Sequence, residues 1–421
     1  MKSIRHYLFA AICCAAILSA QVAGAKTTSA AESKKYEFDF YGFVRADFYY
    51  NDRANVASVN ELFYLYPMDE SLDANGEDLN DVSSSSIYSF VTRMGLDIKG
   101  PSVGKAAASA KIEIDFGGYG SFNTLLRIRQ AYLNLDWEGG SSLLVGQTWH
   151  PLFGSVMPSI ANLSTGSPFQ PFNRSPMLRY QYKTDEGLKL TAAAVYQLQY
   201  TSSGENTTSN EYLVHSCIPE LYVGLDYSSG GLLVGGGVNM LNLTPRTQSE
   251  LGGVTYKVDE HLTAISGEVH VKYTKDKFSV AAKSLYASAL DHTLLLGGYA
   301  ATTVSTQTGE MEYTPIRNST SWLNVSYGKK WIPYVFVGYT KNLGTSEAID
   351  DSAVMYGRGL NIDQLLGAYC GLKYAMPHWS VAFEYSSTTA WYGDINLQSG
   401  RVENTHPISN NRLVGVVTYL F

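Results

Sequence analysis

The feature that most constrains this chain is a period-two alternation of apolar and polar residues, repeated along nearly the whole sequence in short segments. In the first segment Tyr36, Phe38, Phe40, Gly42, Val44, Ala46 and Phe48 share one face. Glu37, Asp39, Tyr41, Arg45 and Asp47 share the other, with Phe43 as the exception. Successive side chains of a strand point to opposite faces, so one side of this segment suits lipid and the other suits water. The pattern continues through residues 88–99, 106–116, 127–137, 143–149, 177–183, 188–200, 218–227, 232–241, 261–273, 278–290, 320–327, 331–340, 362–374, 379–386 and 411–421, which makes sixteen strands. The phase of 331–340 is ambiguous, because Val335 and Val337 face one way and Tyr334 and Phe336 the other.

Charges of both signs recur on one face of many segments, as with Lys111, Glu113 and Asp115 opposite Ile112, Ile114 and Phe116. A soluble β-sandwich has no reason to repeat such ladders on its inner or outer face. Connection lengths also alternate: short links such as Glu138-Gly139-Gly140, Asp185-Glu186-Gly187 and Met376-Pro377-His378 are interleaved with long ones. This is the layout of an all-β, transmembrane, antiparallel up-and-down β-barrel with short periplasmic turns and long external loops. The 31 Tyr, 38 Gly and 16% charged residues fit aromatic-girdled, twisted strands. After residue 25 no apolar run is long enough to span a bilayer as a helix, which excludes a polytopic helical membrane protein.

Residues 1–25 read as a cleaved signal peptide: Lys2 and Arg5 are the basic region, an apolar stretch follows, and Ala23-Gly24-Ala25 is the cleavage site. Residues 26–35 are then a short leader and 36–421 the barrel. Removal of Lys2 and Arg5 makes a chain of formal charge −7 more acidic still, which sets nucleic acid aside as a partner. Cys217 and Cys370 remain after cleavage and do not form a disulfide framework. The chain ends on Val417, Tyr419 and Phe421 in one phase. That resembles the terminal strand read by bacterial outer-membrane assembly machinery.

From Gly42 to Tyr182 the chain resembles trimeric outer-membrane porins of the DcaP type. The residues that carry the resemblance are Gly42-Phe43-Val44-Arg45-Ala46-Asp47, Thr92-Arg93-Met94-Gly95-Leu96, Lys111-Ile112-Glu113-Ile114-Asp115-Phe116, Arg127-Ile128-Arg129-Gln130-Ala131-Tyr132 and Leu144-Val145-Gly146-Gln147-Thr148-Trp149. The resemblance implies a homotrimer in outer-membrane lipid that passes small hydrophilic solutes and ions, often anionic ones. The acidic balance of the chain does not report the charge lining the pore.

By strand phase Arg45, Arg93, Lys111, Glu113, Asp115, Arg179 and Lys183 point inward, as pore-lining residues that set selectivity in a narrow passage. The alternative is a ladder of mutually neutralising charges that keeps the lumen wet. The link from Pro151 to Pro176 is Pro- and Gly-rich, carries Phe153, Phe169 and Phe172, and occupies the place of a constriction loop. Its one charge, Arg174, is expected to meet the solute unpaired. Arg127 and Arg129 have the outward phase of Ala131 and Leu133. An outward Arg in lipid is costly, so both are expected at the rim or at a subunit contact.

The first long link, Asn51 to Ser86, is acidic. Asp73-Ala74-Asn75-Gly76-Glu77-Asp78 resembles a calcium loop but lacks EF-hand spacing, so a solvated loop is the default. No cofactor, metal or catalytic residue is expected. The His residues show no zinc spacing. Outer-membrane hydrolases place His on barrel rims, which keeps His150, His292 and His406 in view. The expected function is passive diffusion through a water-filled channel. An adhesin or structural barrel with a closed lumen is the alternative.

Overall fold

The structure, a computed structural model, describes residues 36–118 and 124–421. The expected signal peptide 1–25 and leader 26–35 lie outside the described residues. Every alternating segment forms a strand, and the sixteen strands pair in chain order as one antiparallel sheet. They are β1 (Glu37–Asn51), β2 (Arg93–Lys99), β3 (Ala106–Gly118), β4 (Leu125–Trp137), β5 (Ser141–Trp149), β6 (Arg174–Lys183), β7 (Leu188–Val195) and β8 (Glu220–Ser229), then β9 (Leu232–Leu243), β10 (Leu262–Lys275), β11 (Phe278–Ser288), β12 (Met311–Tyr327), β13 (Trp331–Gly344), β14 (Ile362–Ala375), β15 (Trp379–Asn396) and β16 (Arg401–Leu420).

Phe43 of β1 lies opposite Arg93 of β2 on one edge and Leu420 of β16 on the other, so the sheet closes on itself. Closure pairs the backbone groups that an open edge would leave bare in hydrocarbon. The tight turns need residues that tolerate φ > 0. At Gly140 φ is +82°, and an added Cβ would sit 2.0 Å from the Lys183 carbonyl oxygen. Aromatic pairs Trp331–Tyr374, Trp379–Tyr419 and Phe40–Phe421 flank the short turns and the C-terminus, forming a girdle at that rim.

The ambiguous phase of β13 is resolved: Val335 and Val337 are exposed on the outer face, while Tyr334 and Phe336 are buried inside. Phe43 also faces inward, with the Arg93 guanidinium 5.0 Å from its ring centroid. β12, β15 and β16 run well past the expected boundaries. Beyond Ser386 the strict alternation of β15 breaks down in Ser387-Thr388-Thr389, so the lipid pattern ends while pairing with β16 continues to Asn396↔Arg401. The acidic first link is only partly a solvated loop. Its Phe63–Pro67 strand is buried, and the Tyr392 hydroxyl donates to the Pro67 carbonyl at 2.6 Å. The outer part, residues 69–81, is exposed, and its carboxylates cap its own amides: Asp73 accepts from Asn75 and Glu77, Asp78 from Ser71 and Asn80. Those amides hold both carboxyls below their ordinary range.

Cys217 ends a short external helix and Cys370 lies on the outer face of β14, and both thiols are free. Thiol titration of the denatured, unreduced mature protein should therefore count both. A zero count would overturn the register of β14.

Candidate functional site

The link between β5 and β6 folds into the barrel and packs on the wall made by β11 to β16. The Ala161 amide donates to the Tyr334 hydroxyl at 3.0 Å and to Glu384 Oε2 at 2.7 Å. The Ser159 amide donates to Asn324 Oδ1, and Trp322 Nε1 donates to Gln170 Oε1, both at 2.8 Å. Phe169 is seated where an added Cβ on Gly338 or Gly367 would fall 2.3 or 2.6 Å from its ring carbons. Phe153, Phe169 and Phe172 thus join Trp322, Phe336 and Tyr369 in one buried cluster. Burial of each such ring contributes about 1.5–3 kcal/mol.

The free edge of the loop runs from Gly154 to Ala161. Lys283 Nζ donates to the Leu152 and Phe153 carbonyls at one end, and Arg45 Nη2 donates to the Ala161 carbonyl at the other. Between them Ser155, Met157 and Ser159 are exposed while Val156 and Pro158 are buried, a strand-like rim with one face turned to the lumen. Lys189 of β7 reaches Ser155 Oγ at 3.2 Å. The loop therefore covers the apolar inner face of β11 to β16. The charged inner face of β1 to β7 is left partly exposed.

On that face Arg45 pairs with Asp47, and Lys111 with Asp97 at 2.8 Å. Lys189 pairs with Asp226 at 2.6 Å. Arg93, Arg127 and Arg129 share Glu113 and Asp115: Arg127 Nε and Nη2 grip Asp115 at 2.9 and 2.8 Å, and Arg129 bridges Glu113 at 2.9 Å and Asp115 at 2.8 Å. Arg93 lies 3.7 Å from Glu113. Arg179 has no carboxylate partner among the described residues. Lys183 is exposed at the short-turn end of β6.

Two expectations are corrected. Arg127 and Arg129 do not face outward. A β-bulge shifts the register between Glu113↔Gln130 and Ile114↔Ile128, so Arg129 is the extra residue and the strand changes phase beyond it. Ile128 and Leu126 then face out, and both guanidiniums turn in to the carboxylates. Arg174 does not meet the lumen either. It opens β6 fully buried, 4.7 Å from the Trp149 ring centroid and 5.2 Å from that of Phe172, and it donates to the Tyr200 hydroxyl at 2.8 Å. The Phe and Trp residues around the loop root, which the sequence placed nearby, are what enclose it.

Sequence reasoning missed Lys189, Lys283 and Glu384, each with an inward phase in its strand, and Glu220, which joins His150 and His292, two of the histidines kept in view as rim residues, in a buried group. The apolar run Phe63-Tyr64-Leu65-Tyr66 within an acidic link was a readable sign of a second inward segment.

A closed sixteen-stranded barrel with a lipid-type exterior, a charged interior and an inward loop has the fold of outer-membrane channels of the porin class, a multi-pass β-barrel of the bacterial outer membrane. Residues 13–200 match the model of the DcaP outer membrane protein family. The solved outer membrane channel DcaP of Acinetobacter baumannii is similar over 95% of this chain and 100% of its own, with a TM-score of 0.66 at 19% identity. OmpT of Vibrio cholerae matches 94% of this chain and 100% of its own (TM-score 0.56, 13% identity). The anion-selective porin from Comamonas acidovorans matches 92% and 100% (TM-score 0.53, 10% identity). No curated protein matches by sequence. The family and these structural neighbours are channels rather than enzymes.

Proposed function

We propose that the protein is a passive-diffusion porin whose passage runs between the loop edge at residues 154–161 and the basic wall of β1 to β7, and which favours small hydrophilic anions. The observation that carries this reading is the loop edge itself, suspended across the lumen between Lys283 and Arg45 with Ser155, Met157 and Ser159 exposed. Arg45 and Lys189 touch that edge, Arg93, Lys111 and Arg179 belong to the same inner wall, and fixed charges act strongly on ions in a narrow passage. Most of them are paired, so the anion preference rests on Arg179 and on three guanidiniums, Arg93, Arg127 and Arg129, sharing two carboxylates. An export signal at 1–25 and assembly as a homotrimer belong to the same reading, the trimer by family resemblance.

Arg179→Glu should shift the reversal potential in a salt gradient towards cations. Lys257→Glu, on an exposed external hairpin, should not, because charges beyond a Debye length of about 8 Å are screened. If Arg179→Glu behaves as Lys257→Glu does in an open channel, the basic wall does not set selectivity. A purified barrel that passes no current would favour the closed-lumen adhesin.

A further inference from the structure

Behind the root of the loop, His150, Glu220 and His292 meet with no solvent exposure. His150 Nε2 lies 3.2 Å from Glu220 Oε1, and His292 Nε2 lies 3.0 Å from Oε2. Asn239 of β9 donates to Oε1 at 2.7 Å. The cluster is tied to both ends of the loop. At the start, His150 Nδ1 accepts the Leu152 amide at 3.1 Å. At the end, the Phe172 amide donates to the Thr293 carbonyl at 2.8 Å, and Asn173 Nδ2 donates to the His292 carbonyl at 3.2 Å.

Two imidazoles and a carboxylate at these separations are also what zinc takes. The ring of His150 argues against a metal there. Its Nδ1 lone pair is engaged by an amide N–H, so the neutral ring carries its proton on Nε2, the atom a metal would need.

We propose that this cluster is a proton-operated positioning clamp, which holds the constriction loop in place while His150 is neutral and releases it when that ring takes a second proton. The inference rests on reading the loop as the constriction. A second proton must go to Nδ1, which turns the acceptor of the Leu152 amide into a donor facing a donor. An orphaned amide in a dry interior is costly, because nothing replaces the hydrogen bond it loses. His292 differs: its Nδ1 is buried without a partner, and Asp291 precedes it in the same turn, so a proton taken there breaks no bond. Glu220 is the one carboxylate in contact with both rings. Leu152 and Leu290, which flank His150 and His292 in the chain, are fully buried with Val195 and Leu295 in one apolar cluster. A neutral His150 ring therefore keeps the clamp closed, and a proton added at Nδ1 weakens it.

The test is unit conductance in planar bilayers at about pH 7.5 and about pH 5, either side of the ordinary imidazole value near 6.5. The wild-type channel should change conductance reversibly between them. His150→Asn keeps an acceptor oxygen at the Nδ1 position and cannot take the proton, so it should conduct normally at neutral pH and lose the response. His270→Asn, in the separate wall cluster with Asp226 and Glu268, should keep it. Amide exchange of the peptide covering residues 151–173, corrected for intrinsic pH dependence, should rise at acidic pH in the wild-type protein and supplies a readout should the variant fail to fold. A conducting wild-type channel without a pH response, unchanged loop exchange, or a His150→Asn channel that responds like wild type would overturn the clamp. A barrel that conducts at neither pH overturns the channel reading, and the clamp with it.

Discussion

A chain in which residues 154–172 are replaced by a short Gly-Ser link should still close as a barrel and should conduct several-fold more current than the wild-type protein. Closure depends on β1 pairing with β2 and β16, and none of those hydrogen bonds involves the loop. A sixteen-stranded barrel is wide enough to leave an aqueous channel once its interior is cleared. What the loop supplies is a filling for the lumen on the β11 to β16 side. Without it Trp322, Phe336 and Tyr369 would face water, at a cost of about 1.5–3 kcal/mol each, so the variant should also unfold more easily. Single-channel recording gives the answer: unchanged conductance would mean that the narrow point lies elsewhere, most directly at the buried Phe63–Pro67 segment.

Asp115→Ala should be the most destabilising single substitution on the inner wall. Asp115 is fully buried and receives three charged hydrogen bonds, two from Arg127 and one from Arg129. Its removal leaves two half-buried or buried guanidiniums with Glu113 alone, which Arg93 also needs. Losing one partner of a buried ion pair costs about 3–5 kcal/mol, because the remaining charge stays desolvated. Glu37→Ala removes an equally formal ion pair, Glu37 with Lys99 at 3.2 Å, but both side chains are mostly exposed and such pairs contribute at most about 1 kcal/mol. Urea midpoints of the two variants in detergent should differ accordingly. Equal midpoints would show that Asp115 is not the anchor of its cluster.

The barrel was legible in the sequence because lipid on one side and water on the other impose strict alternation on every strand, and Val44, Phe48, Leu133 and Val335 all obey it. Arg45, Arg93, Lys111 and Arg179 were placed inward by phase alone, and the structure keeps them there. Phase fails at Arg129, since a bulge adds one residue to one strand and leaves no mark on composition. Arg174 was misplaced for a different reason. Being the only charge in a link says nothing of burial, and the rings of Trp149, Phe172 and Tyr200 that enclose it come from separate segments. His150, Glu220 and His292 could not be joined by inspection, because their contact exists only when β5, β8 and the link after β11 are brought together. The long external ends of β15 and β16 were invisible to a lipid-based pattern because they lie beyond the lipid.

The seat of Phe169 carries a consequence for the order in which the molecule is made. Gly338 and Gly367 belong to neighbouring strands late in the chain, and the acceptors of the Ala161 amide, Tyr334 and Glu384, come from β13 and β15. A loop encoded in the first half is thus fully seated only once the last strands have joined. The full set of contacts that holds this loop therefore belongs to the closed cylinder and to no shorter piece of the chain.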